Sequence, residues 1–288
     1  MKVLITGRSG QLTRELQIAL PADVEQVVLG SAELNLADPE AIRQQVRAIR
    51  PDLILNPAAY TAVDLAESEV EQAMAINARA PGVLAEEAAA LGIPLIHYST
   101  DYVFDGQKAG AYLETDATAP LNVYGRSKLA GEQAIRAVGG QHLILRTSWV
   151  YAGHGRNFLL TMQRLLQEKP HMKVVADQIG APTWAGTLAS TTAALIQHWR
   201  QGQAGPWGTY HLTCQGHTSW FGFAEAIAAH LQAEGKPNAT LEPISAASWP
   251  TPATRPLNSR LDCQRLQADW QVELPAWETA LQLCLAQQ

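Results

Sequence analysis

Short apolar runs alternate with stretches of helical periodicity through the first half of the chain. The runs over 3–6, 26–29, 52–56, 95–99 and 142–146 are bounded by Gly, Pro or polar residues and read as buried strands. Between the first two, Leu12, Leu16, Ala19 and Leu20 share one helical stripe, which Pro21 stops. Asp38 and Pro39 supply an N-cap and a first-turn proline for a helix through Arg50. Residues 65–80 and 82–91 predict a long helical crossover, and 124–138 another. Strand and helix alternating in this way predict an α/β fold: a Rossmann-type doubly wound parallel sheet with helices on both faces.

After Arg146 the rhythm loosens. Helices are expected over 157–168, 186–200, 220–232 and 275–286, and extended segments over 173–176 and 209–213. Loops rich in Gly, Pro, Ser and Trp separate them, including 248–256. The pattern predicts a first domain over 1–150 and a remainder, 151–288, that is mainly a smaller lobe over the sheet's carboxyl edge. Segments over about 172–215 are expected to return to the sheet. The chain has 288 residues, 47% hydrophobic and 17% charged, with a net charge of −6, which excludes disorder and argues against a nucleic-acid surface. Three scattered cysteines make no disulfide framework. The opening apolar run is too short for a signal peptide, and no later stretch has the ~18 apolar residues of a membrane span. A cytoplasmic protein is expected.

Chemistry concentrates where predicted strands end. Gly7, Arg8, Ser9, Gly10, Gln11, Leu12 and Thr13 follow the first strand and open the first helix, the setting in which a backbone approaches a pyrophosphate. Such a loop makes 1–150 a dinucleotide-binding domain. The second strand carries no carboxylate at its end, Glu33 following only later, and Arg8 is placed to reach a ribose 2′-phosphate; NADPH is the expected cofactor, with NADH as the alternative. Asn56, Pro57, Ala58 and Ala59 end the third strand with side chains small enough to leave room for a flat ligand. Tyr124 and Lys128, four apart, share a helix face, where an ammonium lowers the phenol pKa toward neutrality. Thr100, followed by Asp101, ends the fourth strand, where its hydroxyl can hold a substrate oxygen beside Tyr124. His211, Cys214 and His217 are spaced like metal ligands, but they read better as a strand running into a loop.

The segments 97–106, 120–132, 146–151, 177–183 and 255–260, with Thr100-Asp101-Tyr102 and Tyr124-Gly-Arg-Ser-Lys128 inside them, resemble the dTDP-4-dehydrorhamnose reductases, extended short-chain dehydrogenase/reductases. The likeness covers nearly the whole chain. It implies Thr100, Tyr124 and Lys128 as the catalytic residues and Gly7, Gly10, Gln11 and Leu12 along the pyrophosphate. It further implies Ala58, Ala59 and Thr61 along the cofactor and Asn35 and Leu36 at the adenine. Tyr102, Trp149 and Asn157 would face the sugar, with Asp101 also at the substrate, and Arg255 and Arg260 would hold the diphosphate.

The resemblance implies that hydride reaches C4 of a dTDP-linked 4-keto sugar, giving a dTDP-rhamnose precursor for cell-surface polysaccharide. Tyr124 would protonate the developing alkoxide, Thr100 orient it, and Lys128 hold the cofactor ribose and tune Tyr124. Some members bridge two subunits through a glutamate-held divalent metal. Glu15 remains here, but Gly186 stands where those members carry a glutamate, so a monomer or weak homodimer without metal is expected. Epimerases and dehydratases share the Tyr–Lys pair, yet dehydratases carry Asp-Glu after the threonine and this chain has Asp101-Tyr102. A dinucleotide-binding regulatory subunit without turnover is the other alternative.

Overall fold

The computed structural model describes all residues, 1–288. Its centre is a six-stranded sheet, parallel throughout. The strands are β1 (Lys2–Thr6), β2 (Glu25–Leu29), β3 (Leu53–Asn56), β4 (Leu95–Thr100), β5 (His142–Thr147) and a sixth, Gly208–His211. In space they run β2, β1, β3, β4, β5 and the sixth. The chain reverses direction across the sheet between β1 and β3, which opens a crevice at their carboxyl ends.

The first helix buries the leading part of the stripe that its sequence predicts. Helix α1 (Gln11–Ala19) puts Leu12 and Leu16 against one face of the sheet, and α2 (Pro39–Ile49) puts Ile42 and Val46 against the other. The Asp38 side chain caps α2 by accepting from the backbone N–H groups of Glu40 and Ala41. The segment 185–200 forms a helix that packs along α1, and Gly208–His211 pairs with β5. The segment His171–Val175 instead pairs with Thr240–Ile244 in a ribbon of its own. A separate apolar core, with Tyr151, Phe223 and Trp277, fills the second lobe. No helix is long and apolar enough to cross a membrane.

The crossover after β3 differs from the expected pair of long helices. It breaks into α3 (Val63–Ala66), α4 (Val70–Met74), a π-helical turn over Ala75–Arg79, and α5 (Ala80–Leu91). The wider turn swings the Asn77 side chain inward, where it accepts from the Tyr60 N–H and donates to the Tyr60 carbonyl and Ser127 Oγ.

Helix α6 (Val123–Val138) comes unusually close to this turn. A Cβ at Gly131 would lie 2.1 Å from the Asn77 carbonyl oxygen, and one at Gly125 2.2 Å from that of Tyr102. Overpacking of that kind costs ~1–3 kcal/mol. Gly131→Ala is therefore expected to lose stability on that scale in urea denaturation, whereas Gly110→Ala, with open space around the new Cβ, stays near wild type. Equal stability of the two variants would refute the close-contact account.

Candidate active site

A cleft of about 530 Å³ opens at the carboxyl edge of the sheet. Its floor is the β1–α1 loop. Gly7 has φ +76°, and a Cβ there would sit 2.9 Å from that of Ala58, so both backbone angle and space require glycine. Gly10 is the N-cap of α1 without a side-chain cap, which leaves first-turn N–H groups free for an anion. Thr13, in place of a third glycine, is buried and donates from Oγ1 to the Thr6 carbonyl at 3.2 Å, closing the helix onto the strand. Gln11, Leu12, Ala58, Ala59 and Thr61 line the same cleft. These small, backbone-rich walls fit a dinucleotide.

Tyr124 and Lys128 reach the cleft from α6, whose first turn is fixed by Asn122: its Oδ1 accepts from the Gly125 N–H at 2.8 Å. Thr100, at the end of β4, donates from Oγ1 to Asp101 Oδ1 at 2.9 Å and accepts from the Tyr102 N–H. Tyr102 meets the Tyr124 ring edge-on at 5.5 Å. The Lys128 ammonium is buried; it donates to the Tyr98 carbonyl at 2.7 Å and lies 3.1 Å from His97 Nε2.

The electrostatics correct one expectation. Lys128 does not lower the Tyr124 phenol here; burial and the Asp101 charge push that phenol up, with only the Thr100 hydroxyl pulling it down. Lys128 is itself brought down to about 7 by burial, against the opposing charge of Glu132. A tyrosine kept protonated suits donation of a proton more than its removal.

Other expected contacts are redirected. Arg8 pairs with the Glu33 carboxylate and donates to the Val28 carbonyl at 2.7 Å, while Glu33 Oε2 accepts from the Gly30 N–H at 3.0 Å. A tight turn thus returns a carboxylate to the end of β2, where the linear order showed none. Asn157 caps the helix Phe158–Glu168 and donates to Gln11 Oε1 at 2.7 Å and to the carbonyls of Ala152 and His154. With its amide fully engaged it is a loop tie rather than a sugar contact. Arg260 donates to Asn258 Oδ1 and the Ala109 carbonyl and lines a different cavity, so it is not brought to the cleft. Arg255 is paired with Asp64 at 2.7 Å, with Tyr102 Oη 3.5 Å away. Leu36, partly buried, packs against the edge of the core, and Asn35 Oδ1 accepts from the Ala37 N–H; neither side chain lines the cleft. Trp149, at φ +48°, stacks on Trp220 with ring centroids 3.6 Å apart.

Gly155 and Arg156 line the cleft from the second half of the chain, a contribution the linear order did not reveal. The glycine-bracketed basic run Gly153-His-Gly-Arg156 is the signal that could have found them. Glu15 is engaged by His154 Nε2 at 2.8 Å, and no cluster of three or more metal-ligating side chains occurs. His211 is buried against the Asp262 carbonyl, while Cys214 lies in the core of the second lobe.

A family model described as the RmlD substrate binding domain matches residues 1–288. A dTDP-4-dehydrorhamnose reductase of Burkholderia thailandensis is 47% identical over 99% of this chain and 98% of that protein. One of Escherichia coli K12 is 44% identical over 99% and 97%. Among solved structures, the dTDP-4-dehydrorhamnose reductase of Bacillus anthracis in complex with NADP superposes with a TM-score of 0.92. It is 35% identical and covers 100% of this chain and 99% of its own.

Asp101 is 3% exposed, its Oδ2 has no partner, and burial raises its carboxyl to about 6 from 3.8. The native state holds this proton more tightly than the unfolded chain. Its stabilising contribution is therefore full below pH 3.8 and is lost as pH rises through about 6. Asp101→Asn removes this dependence. The variant's unfolding free energy should gain on wild type by ~3 kcal/mol between acid and neutral pH. A difference constant with pH would contradict the burial of an ionising carboxyl.

Proposed function

The chain belongs to the RmlD substrate binding domain family of dTDP-4-dehydrorhamnose reductases, and we propose that its cleft reduces the 4-keto group of dTDP-4-dehydro-6-deoxy-L-mannose to give dTDP-L-rhamnose. The observation that carries this reading is that Tyr124 and Lys128 line the same cleft as the β1–α1 glycine loop, with the Thr100 hydroxyl hydrogen-bonded to the Tyr124 phenol. NADPH, bound in the cleft, supplies the hydride that reduces the C4 carbonyl. The β1–α1 loop, Ala58, Ala59 and Thr61 hold that cofactor, with Lys128 toward its ribose. Tyr124, kept as a phenol, donates its proton to the developing C4 alkoxide. Thr100 orients the same oxygen, since its Oγ1 stands beside the phenol and is itself anchored by Asp101.

We divide the chain into a dinucleotide-binding part over 1–150 and a remainder that mainly shapes the sugar site. Trp149 and Tyr102 are its sugar-facing residues, and Arg255 reaches the diphosphate after exchanging Asp64 for phosphate oxygens. Assembly is a monomer or weak homodimer without metal. Gly186 supports this, because any Cβ there would lie 2.3 Å from the Trp184 ring, leaving no place for the acidic ligand of metal-bridged members. Three buried, unpaired cysteines support a reducing, cytoplasmic setting.

Tyr124→Phe is expected to lower kcat by ~10²–10⁴-fold with little change in NADPH affinity, since it deletes the proton donor alone. Steady-state rates with dTDP-, UDP- and GDP-4-keto sugars test both the chemistry and the nucleotide. No turnover on any of them, alongside tight cofactor binding, would favour a regulatory binding subunit. The Arg8–Glu33 pair makes cofactor choice a competition between carboxylate and 2′-phosphate. Glu33→Gln should raise the NADPH/NADH ratio of kcat/KM, and Arg8→Ala should lower it, each by roughly tenfold. A ratio unmoved by both would show that the pair does not read the 2′ position.

A further inference from the structure

The cleft that takes the dinucleotide is poor in charge. Its lining includes no carboxylate and only two basic side chains, Lys128 and Arg156. Lys128 is buried, one turn after Tyr124 on α6, and donates to the Tyr98 carbonyl at 2.7 Å. Arg8 is turned away to Glu33 and the Val28 carbonyl. A cofactor diphosphate carries two negative charges, and the β1–α1 loop meets it with backbone N–H groups and neutral side chains. Arg156 is exposed and paired with no carboxylate; Glu15, on α1, is engaged instead by His154 Nε2 at 2.8 Å. We propose that Arg156 is a cofactor-binding residue: its guanidinium clamps the diphosphate from the second half of the chain, against the uncapped start of α1.

The loop that carries Arg156 is fastened to α1 on both sides of it. His154 holds Glu15, and Asn157 Nδ2 donates to Gln11 Oε1 at 2.7 Å. The same Asn157 amide also donates to the Ala152 and His154 carbonyls, which closes the loop on itself. Gly155, at φ +79°, lets the chain pass close over the helix start, where a Cβ would lie 3.2 Å from Gln11 Cγ. Gln11 is the first residue of α1, so the loop rests on the helix end whose N–H groups are free. The Arg156 side chain thus leaves from a fixed point beside the phosphate-binding turn. Its planar fork of N–H donors stays charged at any working pH and matches the spacing of phosphate oxygens. Such a clamp reads a charge that NADPH and NADH share, whereas the Arg8–Glu33 pair reads the 2′ position in which they differ.

The proposal rests on the dinucleotide cleft of the reductase reading, and its test is binding without turnover. In titration calorimetry Arg156→Ala should weaken NADPH and NADH by the same factor, about tenfold to a hundredfold, the loss of a charge-assisted contact. ADP-ribose, which keeps the diphosphate and lacks the nicotinamide, should weaken equally. Arg156→Lys retains the charge without the fork and should recover part of the loss. Added salt should weaken binding more steeply in wild type than in Arg156→Ala. Because Arg156 is exposed and unpaired, both variants should keep the wild-type melting temperature. A loss confined to NADPH would assign Arg156 to the 2′-phosphate. Unchanged cofactor affinity with a raised KM for the sugar nucleotide would assign it to the substrate's diphosphate. Either result, or no effect on any ligand, overturns the proposal. Wild type that binds neither cofactor would reject the reductase reading itself, an outcome distinct from a variant that binds as well as wild type.

Discussion

Helix α6 reaches the carboxyl edge of the sheet because Gly125 and Gly131 carry no side chain. One lies against the Tyr102 carbonyl and the other against Asn77 in the π-helical turn. These two contacts set how far Tyr124 and Lys128 project, since both stand on the helix between or beside the glycines. The crossover from β3 is built to receive them. Its wide turn presents the Asn77 carbonyl to Gly131 and the Asn77 amide to Ser127 Oγ on the same helix. A regular α-helix through 75–79 would place neither.

Burial of charge around that contact carries a second constraint. Burial would raise the Glu132 carboxyl, yet Arg146 and Ser99 hold it below its ordinary value. Arg146 grips it with two hydrogen bonds, of 2.9 and 2.7 Å. A buried pair of this kind adds little net stability, because desolvation offsets the attraction. Its effect here is geometric: it locks α6 to β4 and β5 one turn beyond Lys128. The lysine then has a fixed carbonyl and a fixed imidazole to meet, and its charge answers to them rather than to solvent.

The loop over 152–157 joins this edge to the second lobe. Asn157 holds Gln11 of the dinucleotide loop, and His154 holds Glu15 on α1. The β1–α1 loop and α1 are thereby tied to the start of the helix Phe158–Glu168.

The order of strands and helices was legible because apolar spacing reports which face an element buries, and that information is local. The glycine loop and the Thr100, Tyr124 and Lys128 trio were legible for a related reason: each sits at a strand end or on one helix face that short-range spacing defines. The π-helical turn was not, since Asn77 is drawn inward by partners far along the chain. Nor was the fate of individual polar groups. By itself the sequence placed Arg8 toward a ribose 2′-phosphate, Asn157 at the sugar and Arg260 at the diphosphate. Only the tertiary structure supplied Glu33, Gln11 and the Ala109 carbonyl as their partners, because a hydrogen bond between residues distant in sequence leaves no period or motif behind. The chemistry of this chain was thus written locally, whereas the pairing that decides which charges remain available was decided by folding.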